Sequence, residues 1–353
     1  MRQLFVLVPS MAPTGPIKGA VALCNALAAD FDVTLVALKS SPAFPGAIDS
    51  RVRQVGLGQA GGWRAYRAML KEAAGRSPRA VSLSFCLSAD VVNYLVRRHA
   101  ITVASIRGHL PRTYRVDYGP AGSLLAVVHY LVASRLDRVI AMTSRMAQQF
   151  AAITRRHPLV IGNFVDEAQL EPLRSPGGDT TSGWRFVFVG RLDPLKSPDR
   201  MIDAVLHLDA QGVACSLDVF GDGPLIVKLK SQLAQKARGH IVRFHGYVGN
   251  PWVQAAGADC LVLPSLTEGV SRAALEALYL GVPCVMRDVD SNADLIQPGE
   301  NGVLFTDDAA LGNAMLEAAR LGRRLATTRP VLLGESFRQD PCVESYRQLL
   351  QRL

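Results

Sequence analysis

Four side chains in the second half of this sequence, Arg191, Lys196, Glu268 and Glu276, combine type and spacing in a way that suits phosphate and hydroxyl binding. In Phe186-Val187-Phe188-Val189-Gly190-Arg191-Leu192-Asp193-Pro194-Leu195-Lys196, an apolar strand ends at Gly190 and the two cations follow at a helix start. Arginine offers a planar fork of donors and lysine a point charge, a pair that matches a diphosphate. The alternative is two solvated residues. It is the less comfortable reading, because cations at a helix start oppose the helix dipole.

A second strand end, Leu263-Pro264-Ser265-Leu266-Thr267-Glu268-Gly269-Val270-Ser271-Arg272, leads into a helix beginning near Ser271. Backbone N–H groups from Gly269 through Val270 and Ser271 to Arg272 lack helical partners there and can receive phosphate or sugar oxygens. Glu276 lies eight residues after Glu268, among Ala274, Leu275, Ala277 and Leu278. A carboxylate in that company needs a donor, and ribose hydroxyls would serve; a solvated Glu276 is the alternative. Two further strand ends are weaker. Phe220-Gly221-Asp222-Gly223-Pro224 reads as a tight turn, whereas His245-Gly246-Tyr247-Val248 offers backbone groups and a flat ring to a nucleobase.

Short apolar runs alternating with helix-period segments must position these loops. Leu4–Val8, Val33–Leu38, Ala80–Phe85, Ile101–Ile106 and Arg138–Met142 read as strands in the first half. Phe186–Val189, Leu217–Phe220, Val242–Phe244, Cys260–Leu263 and Val282–Met286 do so in the second. Helices read over Ala20–Ala29, Trp63–Ala74, Ala89–Arg98, Pro198–Ala210, Leu225–Ala237, Ser271–Tyr279 and Asp340–Leu353. Strands apolar on both faces and separated by helices imply parallel sheets covered on both sides. The fold class is therefore α/β, with two doubly wound Rossmann-like domains. The stretch Pro172–Gly183, rich in Pro, Gly, Ser and Thr, reads as a linker or long loop. Ligands of such sheets bind outside the carboxyl ends of the strands, and with two domains the default site is the cleft between them.

At 353 residues, with 49% hydrophobic residues, the chain suits two domains and excludes a disordered protein. The longest apolar run, Leu124–Ala133, is broken by His129 and falls short of the ~20 residues of a membrane span. Leu4–Val8 is too short for a signal-peptide core and reads as a strand. Six scattered cysteines with no Cys-x-x-Cys pair suggest buried thiols in a reducing cytoplasm. The net charge of +9 is uneven. Residues 1–165 carry 20 Lys and Arg against 7 Asp and Glu, and residues 166–353 carry 19 against 23. The first half, at +13, could meet nucleic acid, an anionic membrane or a phosphorylated substrate.

In order and spacing, Gly190-Arg191 with Lys196, Phe220-Gly221-Asp222-Gly223-Pro224, His245-Gly246-Tyr247 and the Glu268-x7-Glu276 block resemble the family 4 glycosyltransferases. Gly281-Val282-Pro283-Cys284-Val285 and Glu300-Asn301-Gly302-Val303-Leu304 continue the likeness, which is strong over 185–305 and looser before. The resemblance implies a GT-B fold, a nucleotide-sugar donor and transfer with retention of configuration. It assigns the diphosphate to Arg191 and Lys196 and the sugar hydroxyls to Glu268 and the Gly269–Ser271 amides. The ribose falls to Glu276, the base to Tyr247 and Val248, and Gly190 closes the strand. It also implies domains at 1–166 for the acceptor and 167–335 for the donor. A closing helix in 336–353, through Phe337 and Tyr346, would cross back to the first domain.

In the first half, Pro13-Thr14-Gly15-Pro16-Ile17-Lys18-Gly19 resembles the family's Gly-rich loop, with Gly15 and Gly19 in place of an adjacent pair. After Ile106, either Arg107 or His109 takes the place of the histidine that contacts the sugar in many relatives. Asp288-Val289-Asp290 has the spacing of a metal-binding Asp-x-Asp, but its late position makes it a loop or acceptor-side element. No metal and no other cofactor is expected. Trp63 to Lys71 sets Arg64, Arg67 and Lys71 beside Trp63, Tyr66 and Leu70, so it reads either as a membrane-surface helix or as one packed on its sheet. The expectation is a cytoplasmic enzyme, peripheral at the inner face of the membrane, that uses a saccharide or lipid-linked acceptor in lipopolysaccharide or exopolysaccharide assembly. The rivals are an epimerase or phosphorylase on the same fold and a basic nucleic-acid-binding protein. The last lacks any nucleic-acid-binding motif, so no nucleic-acid partner is expected.

Overall fold

The runs that are apolar on both faces become the centres of two parallel sheets. In a computed structural model, β1 (Arg2–Val8), β2 (Phe31–Ala37), β3 (Arg53–Gly56), β4 (Val81–Phe85), β5 (Ile101–Ile106), β6 (Arg138–Ala141) and β7 (Leu159–Val160) form one sheet. Its order is β3-β2-β1-β4-β5-β6-β7, and every pairing is parallel. The structure describes residues 1–353 except 13, 40–43, 45, 59–61, 75–78, 175–182 and 237–238. Pro13, Ala237 and most of the expected linker 172–183 thus lie outside the described residues.

The helices of this sheet are α1 (Gly15–Leu27), α2 (Gly62–Ala74), α3 (Leu87–Val96), α4 (Leu110–Tyr118), α5 (Pro120–Ala133) and α6 (Ser144–Thr154). Strand alternation sends Leu4, Val6 and Val8 to one face, where Ile17, Val21, Cys24 and Leu27 of α1 cover them. Phe5 and Leu7 go to the other face, under Tyr66 and Leu70 of α2 and Ala89 and Val96 of α3.

The second sheet contains β8 (Trp184–Val189), β9 (Cys215–Phe220), β10 (Val242–Gly246), β11 (Cys260–Leu263), β12 (Cys284–Arg287) and β13 (Gly302–Phe305). It is also all parallel, in the order β10-β9-β8-β11-β12-β13. Its helices are α7 (Glu167–Leu170), α8 (Pro198–Ala210), α9 (Ile226–Ala234), α10 (Trp252–Ala255), α11 (Arg272–Tyr279), α12 (Asn292–Leu295) and α13 (Leu311–Leu325). The closing helix α14 (Gln339–Arg352) inserts Cys342, Val343, Tyr346 and Leu350 into the same core as α1. The chain therefore divides into one unit of Met1–Val165 with Glu335–Leu353 and another of Asp166–Gly334.

All six cysteines are free thiols. Among the described residues no helix is long and apolar enough to cross a membrane. Of the two readings of α2, the packed amphipathic helix is the one seen. Tyr66 and Leu70 are fully buried against Phe5 and Val36, while Arg64, Arg67 and Lys71 face outward, so α2 is an amphipathic helix packed on its sheet.

Candidate functional site

In the second sheet the strand order reverses between β8 and β11, and ligand crevices of doubly wound sheets open at that point. The loops that follow these two strands are the ones carrying Arg191 with Lys196 and Glu268 with its amides. They are tied together. Leu266 N donates to Leu195 O at 2.8 Å, and Lys196 Nζ donates to Glu268 Oε1. Ser265 Oγ donates to the same carboxylate oxygen at 2.8 Å. Glu268 is only 8% exposed, so its charge is tolerated through these donors.

Lys196 ends a single 3-10 turn just before α8, and Asp193 caps that turn by accepting from Lys196 N at 3.1 Å. The Arg191 side chain is 69% exposed, with Nε 3.7 Å from Asp193. It is the outward member of the cation pair. On the opposite loop, Asp290 Oδ2 accepts from Thr267 Oγ1 at 2.5 Å and from Glu268 N at 3.0 Å. Asp290 thus shapes the Glu268 loop, a role its Asp-x-Asp spacing concealed. Among the described residues no group of three His, Cys, Asp or Glu side chains is placed to hold a metal ion. Gly269 is partly exposed, and Val270 and Ser271 are buried ahead of α11. The Ser271 hydroxyl makes no capping bond, so no N-cap side chain covers that helix start.

Glu276 faces a donor that sequence reasoning missed. Trp252 Nε1 donates to its Oε2 at 2.7 Å, while Arg272 stands 3.7 Å from Oε1. A buried tryptophan needs an acceptor for its indole N–H, and that requirement was the available signal. Gly190, Gly221 and Gly246 close three neighbouring strands. Gly190 N donates to Phe220 O at 3.0 Å and Gly221 N to Gly246 O at 2.7 Å. Gly221 has φ 141°, and a Cβ there would lie 1.8 Å from Gly190 O, so no other residue fits. Beside this seam His245 stacks on Phe220 and its Nε2 lies 2.7 Å from Asp218 Oδ1. Tyr247 follows, 60% exposed, with Val248 partly exposed. Its ring is available to stack.

In the first sheet the order reverses between β1 and β4. The expected loop with Gly15 and Gly19 is helical there, since α1 begins at Gly15. Gly19 lies inside the helix where a Cβ would come 2.3 Å from the Arg107 guanidinium. Arg107 also donates to Asn163 Oδ1 at 2.7 Å and lies over the Phe85 ring. His109 caps α4, its Nδ1 accepting from Arg112 N at 3.2 Å, and its Nε2 meets the Gln149 amide. Arg107 is thus held against α1, whereas His109 organises a helix start.

Sequence reasoning found nothing of the buried chain beside them. Ser84 Oγ donates to Asp90 Oδ1 at 2.6 Å, Asp90 Oδ2 lies 2.7 Å from His129 Nε2, and His129 Nδ1 lies 2.9 Å from Tyr114 Oη. Asp90 and His129 are both buried. Burial raises the Asp90 carboxyl, against the pull of His129 and Ser84. Cys86 precedes α3 at φ 74°, a strained conformation for a residue with a side chain. Burial, aided by Asp90, pushes its thiol up to about 12, against the pull of Arg107.

This pair of doubly wound units is the GT-B fold. One structural neighbour is HepE of Anabaena in complex with UDP-glucose, with a TM-score of 0.78 over 100% of both chains at 17% identity. Residues 183–320 match the family described as Glycosyl transferases group 1, so the second unit is a domain of group 1 glycosyltransferase type. A GDP-mannose-dependent alpha-(1-6)-phosphatidylinositol dimannoside mannosyltransferase of Mycobacterium tuberculosis is 28% identical over 52% of this chain and 49% of its own. A putative colanic acid biosynthesis glycosyltransferase, WcaL, of Salmonella typhimurium is 27% identical over 48% of this chain and 45% of its own. The chain spans about half the length of these curated relatives.

Proposed function

We propose that this protein is a retaining glycosyltransferase that moves a sugar from a nucleotide-diphosphate sugar to a saccharide or lipid-linked acceptor in surface-polysaccharide assembly. The reading rests on one observation above the others. The Lys196–Glu268 pair joins the two loops at the strand-order reversal of the second sheet. Lys196 and Arg191 would meet the diphosphate, and Glu268 with the Gly269–Ser271 amides would meet the sugar hydroxyls. Glu276 would offer Oε1, beside Arg272, to the ribose while Trp252 steadies Oε2. Tyr247 and Val248 would flank the base. The names of the relatives, among them an enzyme of colanic acid biosynthesis and one acting on a phosphatidylinositol mannoside, support the acceptor class.

In the reaction the bond from the anomeric carbon to the diphosphate oxygen breaks, leaving negative charge on that oxygen. The acceptor hydroxyl attacks the same face, and its proton passes to the departing phosphate oxygen. Lys196 and Arg191 would stabilise the leaving charge electrostatically, so the proposal needs no metal and no carboxylate base. A thermal-shift panel of nucleoside diphosphates and nucleotide sugars tests it. One nucleotide sugar is expected to raise the melting temperature of the wild type, with smaller shifts in Lys196→Ala and Glu276→Ala. A wild type indifferent to every nucleotide sugar, or variants that respond like it, would overturn the assignment.

A further inference from the structure

The apolar run Leu124–Ala133 acquires a meaning on α5. Its inner face buries Ala126, His129, Tyr130 and Ala133, yet its outer face is apolar as well, with Leu124, Val128 and Leu131 exposed at helical spacing. A surface helix of a soluble domain carries polar residues on such a face. The pattern continues on two of the three helices packed against α5, namely α3 and α4. Leu95 of α3 and Val116 and Tyr118 of α4 are exposed too. Of the fifteen large apolar residues exposed among the described ones, seven lie on α3, α4 and α5.

These helices are fixed relative to one another by the buried chain of Asp90 on α3, His129 on α5 and Tyr114 on α4. Exposed Arg98, Arg112, Arg115 and Arg135 belong to the same helices or their ends, against Asp117 and, just past α5, Asp137 as exposed acids. We infer that the outer face of α3, α4 and α5 docks on an anionic lipid surface. Leu124, Val128 and Leu131 would enter the acyl boundary and Tyr118 would sit at headgroup level. Arginines would pair with lipid phosphates. A second copy of the chain fits less well, because two such faces would bring together units that each carry a large positive excess. The inference rests on the reading above for its purpose, since a lipid-linked acceptor brings the enzyme to a membrane. The surface itself is read from exposure and charge.

Flotation of the full chain with phosphatidylcholine vesicles, and with vesicles that also contain phosphatidylglycerol, tests the surface. Wild type is expected to float with the anionic vesicles and weakly with the neutral ones. Leu124→Glu/Leu131→Glu should lose roughly tenfold or more of that partitioning. Arg64→Glu/Lys71→Glu on α2 should keep most of it. Failure of the wild type to float, or unchanged flotation of Leu124→Glu/Leu131→Glu, would overturn the inference. So would a wild-type dimer in sedimentation that this double variant makes monomeric. Nucleotide-sugar thermal shifts on the same proteins separate the two claims. A wild type that answers a nucleotide sugar and does not float removes the docking surface alone. One that floats and answers none removes the donor-site reading alone.

Discussion

The two sheets share a strand order at their centres, and each reverses it between its first and fourth strands, but they use the reversal differently. In the second unit the reversal is polar and reaches solvent, with Arg191 outward, Lys196 paired to Glu268 and an uncapped helix start behind them. In the first unit Arg107 and His109 are partly exposed near the reversal, but the acid–imidazole pair beside them is sealed. Asp90 and His129 are buried, and only Tyr114 at the end of the chain is partly exposed. The same topology thus presents a polar loop pair to solvent in one case and buries a hydrogen-bonded chain in the other. Strand order says where to look, and the solvation of the side chains says which use is made of the place.

That contrast can be broken from either side. The largest effect on stability belongs to the first unit. His129→Ala removes one partner of a buried pair and should cost about 3–5 kcal/mol in urea denaturation, with the nucleotide response retained. Loss of nucleotide response without loss of stability would reverse the comparison. Lys196→Ala should lower sugar transfer about 10²–10³-fold while costing less stability than His129→Ala. Gly221→Ala adds a Cβ against Gly190 O at a positive φ, and should cost about 2–3 kcal/mol in the same denaturation assay.

The smallest effect depends on pH. Asp218 is held below the ordinary carboxylate range; burial raises it, but hydrogen bonds from Arg243 and His245 outweigh burial. A depressed folded-state value means stabilisation that is present above the unfolded carboxylate value, ~3.9, and lost as pH falls through the lower folded value. Asp218→Asn should therefore flatten this acid limb, by about 1 kcal/mol, in denaturation measured across acidic pH.

The central strands and the second-unit loops are legible in the sequence for a physical reason. Strands buried on both faces leave unbroken apolar runs such as Phe186–Val189, and a strand-end loop keeps its cations and carboxylates within a few residues. The edge strands β3 and β13 escaped, because Arg53-Gln54-Val55-Gly56 is polar and Gly302-Val303-Leu304-Phe305 is short and opens with glycine. Trp252 escaped because its partner lies 24 residues away. The buried chain escaped more completely. Ser84, Asp90, Tyr114 and His129 come from four elements, and His129 showed only as an interruption in an apolar run. Contacts made by tertiary packing leave no spacing to read.

Calorimetric titration of nucleoside diphosphates into the full-length chain, beside Lys196→Ala and His129→Gln, tests the central claim most directly. The account predicts saturable binding of at least one nucleoside diphosphate, weakened roughly tenfold or more by Lys196→Ala through loss of a charge-assisted contact, and little changed by His129→Gln. Binding equal in wild type and Lys196→Ala, or lost only in His129→Gln, would contradict it.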